Sequence, residues 1–162
     1  MPRLFTAIPL PDSVKDVLSS MGGGIRHARW LDYDQLHLTL VFLGEVPAAR
    51  LPGLTEKLRR IDWQPFSVHV RDLGHFSTRG RARVLWAGVS KSEPLLQLQR
   101  EVLATARSEG LSIQARKFHP HVTLARLDRP SNEEVSGYLA INGGLDFPEF
   151  ETDRFVLWQS HL

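Results

Sequence analysis

Cysteine is absent from the 162-residue sequence, which excludes a disulfide framework, a thiolate metal site and a cysteine nucleophile. A chain without cysteine suits a reducing compartment, so the expected location is the cytoplasm. Long apolar runs are lacking too. The N-terminal MPRLFTAIPLPDS has one short apolar run interrupted by Pro9 and Pro11, too brief for a signal peptide or a membrane span. Strong net charge is also missing, at +2 overall, yet most of the twenty basic residues are arginine. Arginine keeps its charge and favours planar bidentate partners such as phosphate. That composition leans toward a phosphorylated or nucleic-acid partner and equally fits an ordinary solvated surface. What is present is an apolar fraction of 42% in a length typical of one domain, so residues 1–162 are expected to fold as a single monomeric domain.

The sequence repeats itself. HLTL at residues 37–40 returns as HVTL at 121–124, 84 residues later. RLFTAI, opening at Arg3, resembles RVLWAG, opening at Arg83, at an offset of 80, and Phe66 and Phe150 are again 84 apart. Each half reads as strand, helix, HxTx strand, helix, strand. The first helix is PDSVKDVLSSMGGG, with Asp12 or Ser13 as cap and the glycines as stop. Its counterpart is SEPLLQLQREVLATARSEG, with Leu95, Leu98, Val102 and Ala106 on one face and Gly110 as stop. AARLPGLTEKLRRI and SNEEVSGYLAI form the second helical pair, and FSVHVRDL and FETDRFVL the last strands. The expected fold is α+β, bilobal and internally duplicated, with antiparallel-rich sheets flanked by helices around a central cleft. The lobes span about residues 3–75 and 83–160, and the loop GHFSTRGRA crosses between them.

In a strand, side chains alternate faces. His37 and Thr39 therefore point one way, and Leu36, Leu38, Leu40 and Phe42 the other, into the core. His121 and Thr123 repeat this, with Val122 and Leu124 inward. If the halves face each other, two imidazoles and two hydroxyls line one cleft. Imidazoles of near-neutral pKa can act as one base and one acid in a single displacement. Threonine hydroxyls can donate to phosphate oxygens where negative charge builds. Opening a cyclic phosphodiester needs that set and no metal. His119 with His121 has a metal-compatible spacing but lacks accompanying carboxylates or thiolates. His27, His69, His75 and His161 have no repeated context and default to structural or surface roles. RGRAR (79–83) reads as a solvated loop able to grip a nucleic-acid backbone. Trp30, Tyr33, Phe42, Phe76 and Trp158 are core candidates that could instead stack a base.

With both motifs in their flanks (RLFTAIPLP, HLTLVFLG, RVLWAGV and FHPHVTLAR), the sequence resembles the two-histidine phosphoesterase superfamily. Within it, the resemblance is to the LigT-type RNA 2′,3′-cyclic phosphodiesterases, formerly called 2′-5′ RNA ligases, and it runs along nearly the whole chain. It implies a bilobal α+β fold with pseudo-twofold symmetry, a sheet in each lobe, and hydrolysis of RNA 2′,3′-cyclic phosphate ends, or of a cyclic nucleotide, to a 2′-phosphate. It further implies that His37 is the proton donor to the leaving 3′ oxygen and His121 the proton acceptor from water, with Thr39, Thr123 and Arg126 holding the phosphate and no cofactor. Strict alternation puts Arg126 on the face opposite His121, so it reaches the phosphate only if its strand ends, bulges or twists near Ala125. The same residues would serve 2′-5′ ligation of tRNA halves or opening of a cyclic phosphate on an ADP-ribose derivative. An RNA-end binding module would instead keep a salt-sensitive affinity without either imidazole, and a metal-dependent hydrolase would fail in chelator.

Overall fold

The computed structural model describes residues 1–161; Leu162, the last residue of the expected domain, lies outside them. β1 (Arg3–Pro9) leads through α1 (Asp12–Ser19) and a short β2 (Arg29–Trp30) to β3 (His37–Glu45), α2 (Leu51–Arg59), β4 (Phe66–Val68) and β5 (Val70–Thr78). Then come β6 (Arg81–Val89), α3 (Glu93–Ser108), β7 (His121–Arg126), α4 (Asn132–Asn142), β8 (Phe150–Thr152) and β9 (Val156–Gln159). The α+β class and the repeated order of elements agree with the sequence pattern.

Seven strands form one antiparallel sheet in the order β5-β6-β7-β3-β1-β9, with β2 beside β7; β4 and β8 pair separately. The register is symmetric about its middle. Leu38 pairs with Val122 where β3 meets β7, and Ser67 pairs with Glu151 where β4 meets β8. Each of these pairs joins positions 84 residues apart, so a pseudo-twofold axis passes through both contacts. One sheet per lobe is the expectation; here the two join at β3 and β7. Pairing there satisfies main-chain groups that two separate sheets would leave at open edges. The closing strand of each half also crosses over: β5 bonds to β6 of the second half, and β9 to β1 of the first.

The segment GHFSTRGRA is not a loop. Gly74 to Thr78 lie in β5, Arg81 and Ala82 in β6, and only Arg79 and Gly80 turn, both with positive φ (54° and 76°). Two consecutive positive-φ residues give the tight hairpin whose twist matches that of its strands. The cap of α1 differs as well. Pro11 holds the N-cap with no side-chain bond, and Asp12 instead accepts a hydrogen bond from the Tyr33 hydroxyl at 3.0 Å. α3 is capped by Ser92, whose hydroxyl accepts from the Leu95 amide, and Gly110 follows it with φ 86°.

The apolar helix faces, Val14 and Leu18, Leu54 and Leu58, Leu95, Leu98, Val102 and Ala106, and Val135 and Tyr138, join one core with Ile8, Leu38, Leu85 and Val122 of the sheet. Burying each such leucine contributes roughly 1.5–3 kcal/mol, which holds the helices on that face. The opposite face of the sheet carries the repeated histidines. No helix among the described residues is long and apolar enough to cross a membrane.

Candidate active site

His37 and Thr39 on β3, and His121 and Thr123 on β7, are each partly exposed, while Leu38, Val122 and Leu124 between and after them are buried. Alternation therefore operates as the sequence predicts. The Leu38–Val122 pairing sets neighbouring positions opposite each other, His37 toward Thr123 and Thr39 toward His121. Each imidazole thus stands beside the hydroxyl of the other half, and all four side chains leave one face.

Alternation then resets in both strands. β3 skips Leu40 in its register with β1 (Ala7 pairs with Thr39, Thr6 with Val41), and β7 skips Leu124 against β6 (Trp86 pairs with Thr123, Leu85 with Ala125). At each bulge two successive residues go to the core: Leu40 and Val41 in β3, Leu124 and Ala125 in β7. Phe42, expected in the core, is consequently returned to the histidine face and is 66% exposed. Arg126, its counterpart 84 residues on, is returned likewise. Arg126 pairs with Val84, which pairs with Phe76, and the Phe76 ring packs edge-on to His121 at 4.8 Å. Directly paired residues share a face, so Arg126 lies on the side of His121.

The equivalence between β1 and β6 is one residue out from its sequence likeness. RLFTAI matches RVLWAG at an offset of 80, but in the sheet Ala7 takes the place of Trp86 and Thr6 that of Leu85, an offset of 79. A one-residue slip exchanges faces. Thr6 is buried in the core, where its hydroxyl reaches the Val41 carbonyl, whereas Trp86 packs on the histidine face, 4.9 Å from the His119 ring and 6.2 Å from His121.

Aromatic groups thus flank both imidazoles. Phe5 stacks on His37 at 4.8 Å and Trp158 meets it edge-on at 5.5 Å, with Phe42 behind Phe5. Phe76 and Trp86 flank His121. Gly74 permits this: a Cβ there would lie 2.3 Å from the Trp86 ring. Of the five aromatic candidates, Phe42, Phe76 and Trp158 are at the site. Trp30 packs on Tyr138, and Tyr33 is bonded to Asp12. Phe5, Trp86 and Gly74 had no signal in the sequence beyond an aromatic residue or a glycine within a strand.

Burial is the largest influence on both histidines and holds each pKa below the usual 6.5. Backbone carbonyls oppose it, Gln35 behind His37 and His119 behind His121, again 84 residues apart. The two contacts are unequal. His121 Nδ1–H donates to the His119 carbonyl at 2.6 Å; a carbonyl only accepts, so Nδ1 carries the proton and the neutral ring presents Nε2 as an acceptor. His37 Nδ1 is buried and forms no well-aligned bond, to Gln35 or to any other described group. A neighbouring imidazole lowers each further, His121 for His37 and His119 for His121. His121 therefore presents Nε2 as a proton acceptor, whereas the His37 ring is not fixed by a carbonyl in the same way.

The other candidates stand apart. His69 bonds to Asp146, and His75 to the Ser77 hydroxyl. Among the described residues no group of three or more His, Cys, Asp or Glu side chains is placed to share a metal ion. An open hollow of about 410 Å³, lined by Met21, Gly22, Tyr138 and Ile141, is remote from the histidines, and one of about 580 Å³ beside β9 meets the site only through Trp158.

An antiparallel α+β fold with one imidazole and one hydroxyl from each half on a shared face defines the class of two-histidine phosphoesterases. The chain belongs to the 2′-5′ RNA ligase superfamily, whose family pattern matches residues 24–162. It is 32% identical to the RNA 2′,3′-cyclic phosphodiesterase of Archaeoglobus fulgidus, over 99% of this chain and 92% of that protein. It is also 32% identical to that of Thermotoga maritima, over 99% and 87%. Its structure is similar to E. coli LigT in complex with 3′-AMP, with a TM-score of 0.76 and 28% identity over 99% of this chain and 89% of that one.

Proposed function

We propose that this protein is an RNA 2′,3′-cyclic phosphodiesterase that leaves a 2′-phosphate, working by two-histidine acid/base catalysis without a metal. The observation that carries the reading is the His121 Nδ1–H bond to the His119 carbonyl, on the face shared with His37. His121 Nε2 takes a proton from water as the water oxygen attacks phosphorus. The bond from phosphorus to the 3′ oxygen breaks, and His37, entering protonated, delivers its proton to that oxygen. Solvent exchange then restores both rings. Thr39 and Thr123 donate to the non-bridging oxygens as charge grows there, and Arg126 adds a positive charge on the same face. The names of the curated relatives support the substrate class.

The proposed setting is the cytoplasm, which the cysteine-free composition favours, and the acting form is a monomer of one domain. The same step with the 5′ hydroxyl of an RNA fragment attacking in place of water, the 3′ oxygen again leaving, would give a 2′-5′ linkage, as the family's description suggests. The test is incubation of a nucleoside 2′,3′-cyclic monophosphate and of a short RNA with that end, in chelator, resolving 2′- from 3′-phosphate. Formation of the 2′-phosphate is the expected result. Exclusive 3′-phosphate would reverse the assigned leaving atom, and abolition by chelator would refute metal independence.

A further inference from the structure

We infer that Arg29 forms, with Arg126, a subsite for a phosphodiester of the RNA chain leading to the cyclic end, so that the protein prefers an oligonucleotide to a mononucleotide. The inference rests on the phosphodiesterase reading above. β2 is only two residues long, and its register pairs Arg29 with Arg126 and Trp30 with Ala125. Ala125 is in the core and Trp30 packs toward Tyr138. Arg29, pairing with Arg126, therefore shares the histidine face. Both arginines are exposed.

Directly opposed residues in an antiparallel pair have Cβ atoms about 4.5–5.5 Å apart, and like charges there are unfavourable. Neither arginine takes part in the ion pairs found among the described residues, so no carboxylate offsets the repulsion. The fold does not demand a cation at this point. Phe42 holds the place of Arg126 in the other half, and Ile113, 84 residues from Arg29, lies outside any strand. The two ends of the face are thus unlike: aromatic beyond His37, doubly cationic beyond His121.

A strand advances about 3.3 Å per residue, so after one bulged residue the Arg126 backbone lies about 13 Å along β7 from that of His121. Arg29 stands at the same level. One long side chain can lean back to the reacting phosphate, but two guanidinium groups side by side at that distance suit a second anion, gripped by paired planar forks. On an RNA end, the next anion is the adjoining phosphodiester. A mononucleotide lacks it.

The test compares wild type with Arg29→Gln and with Arg100→Gln, which removes an equal charge from α3 on the helical side. Two quantities are read: the ratio of kcat/KM for a short RNA bearing a 2′,3′-cyclic end to that for the mononucleotide, and the affinity for a labelled 3′-phosphorylated oligonucleotide at several salt concentrations. Arg29→Gln is expected to lower the kcat/KM ratio about tenfold, the scale of one lost charge-assisted hydrogen-bonding partner, mainly through KM for the RNA. The slope of log affinity against log salt should fall by roughly 0.7, as for one phosphate contact on a single strand. Arg100→Gln should alter neither. Equal losses on both substrates, an unchanged ratio, or a fall in Tm accompanied by loss of both activities would overturn the role of Arg29. If wild type turned over neither substrate, the phosphodiesterase reading alone would fail, and the salt dependence of binding would still decide for or against the arginine pair.

Discussion

Leu38 and Val122 are register partners where β3 meets β7 at the centre of the sheet, and they are also equivalent positions of the two halves. Because the pair lies on the pseudo-twofold axis, the residues flanking it are brought together crosswise, His37 with Thr123 and Thr39 with His121. Each half therefore supplies part of both ends of the site. The symmetry ends at the imidazole nitrogens. One Nδ1 is anchored to a carbonyl and the other is not.

Replacing either histidine should remove most turnover without unfolding the protein. His37→Ala and His121→Ala are each expected to lose at least the 10²–10⁴-fold typical of a positioned acid or base, with circular dichroism unchanged. Wild-type rates in either variant would exclude that imidazole from the chemistry.

Thr39→Val and Thr123→Val keep the shape and remove the donor. Each is expected to weaken transition-state stabilisation by about 1–4 kcal/mol, read as a fall in kcat/KM. A variant with altered thermal stability and an unaltered rate would show that its hydroxyl serves the fold.

The pH dependence follows from the depressed histidine pKa values. The acid limb of kcat/KM reports the base of the free enzyme, so its midpoint should fall below 6.5, in the direction burial drives His121. Stability should respond in the same window. As pH drops from about 6.5 toward the lowered folded-state values, the unfolded chain binds protons that the folded one does not, so stability declines and then levels off below both. Urea titrations across this range should show a flatter decline in the double variant His37→Asn with His121→Asn.

The bulge in β3 separates two adjacent apolar side chains by role. Leu40→Ala should cost about 2–5 kcal/mol of stability, because Leu40 is 3% exposed. Phe42→Ala, two residues on, should change stability little and act instead on KM for RNA. The opposite pattern in denaturation and kinetics would mean that alternation runs unbroken through β3.

Gly74 leaves room for the Trp86 ring, so Gly74→Ala should push that ring toward His119 and His121. The expected result is a lower kcat with altered tryptophan fluorescence. Unchanged emission with unchanged kcat would show that the ring accommodates a methyl group elsewhere.

The duplication, the order of elements and the exposure of both histidines and threonines were legible because each depends on local periodicity. Residues two apart on a strand share a face whatever the strand pairs with, and the helices showed their apolar stripes at 3.6-residue spacing. The bulges were not legible. Leu40 with Val41 and Leu124 with Ala125 are apolar on both sides of each reset, so composition carries no mark of where the alternation shifts, and strict alternation places Phe42 in the core. The likeness of RLFTAI to RVLWAG misled for a related reason: matching letters align side chains, whereas the sheet aligns hydrogen-bonding groups, and the two differ by one residue.

Residue type and spacing along one segment are enough to mark the side chains able to take part in proton transfer and the surfaces that must be buried. Long-range packing alone selects which segments become neighbours: β3 with β7, β5 with β6, β9 with β1, and Arg29 with Arg126. Those choices are made by main-chain hydrogen bonds and core packing between stretches distant in the chain, and a register set by distant partners leaves no local trace in either strand alone.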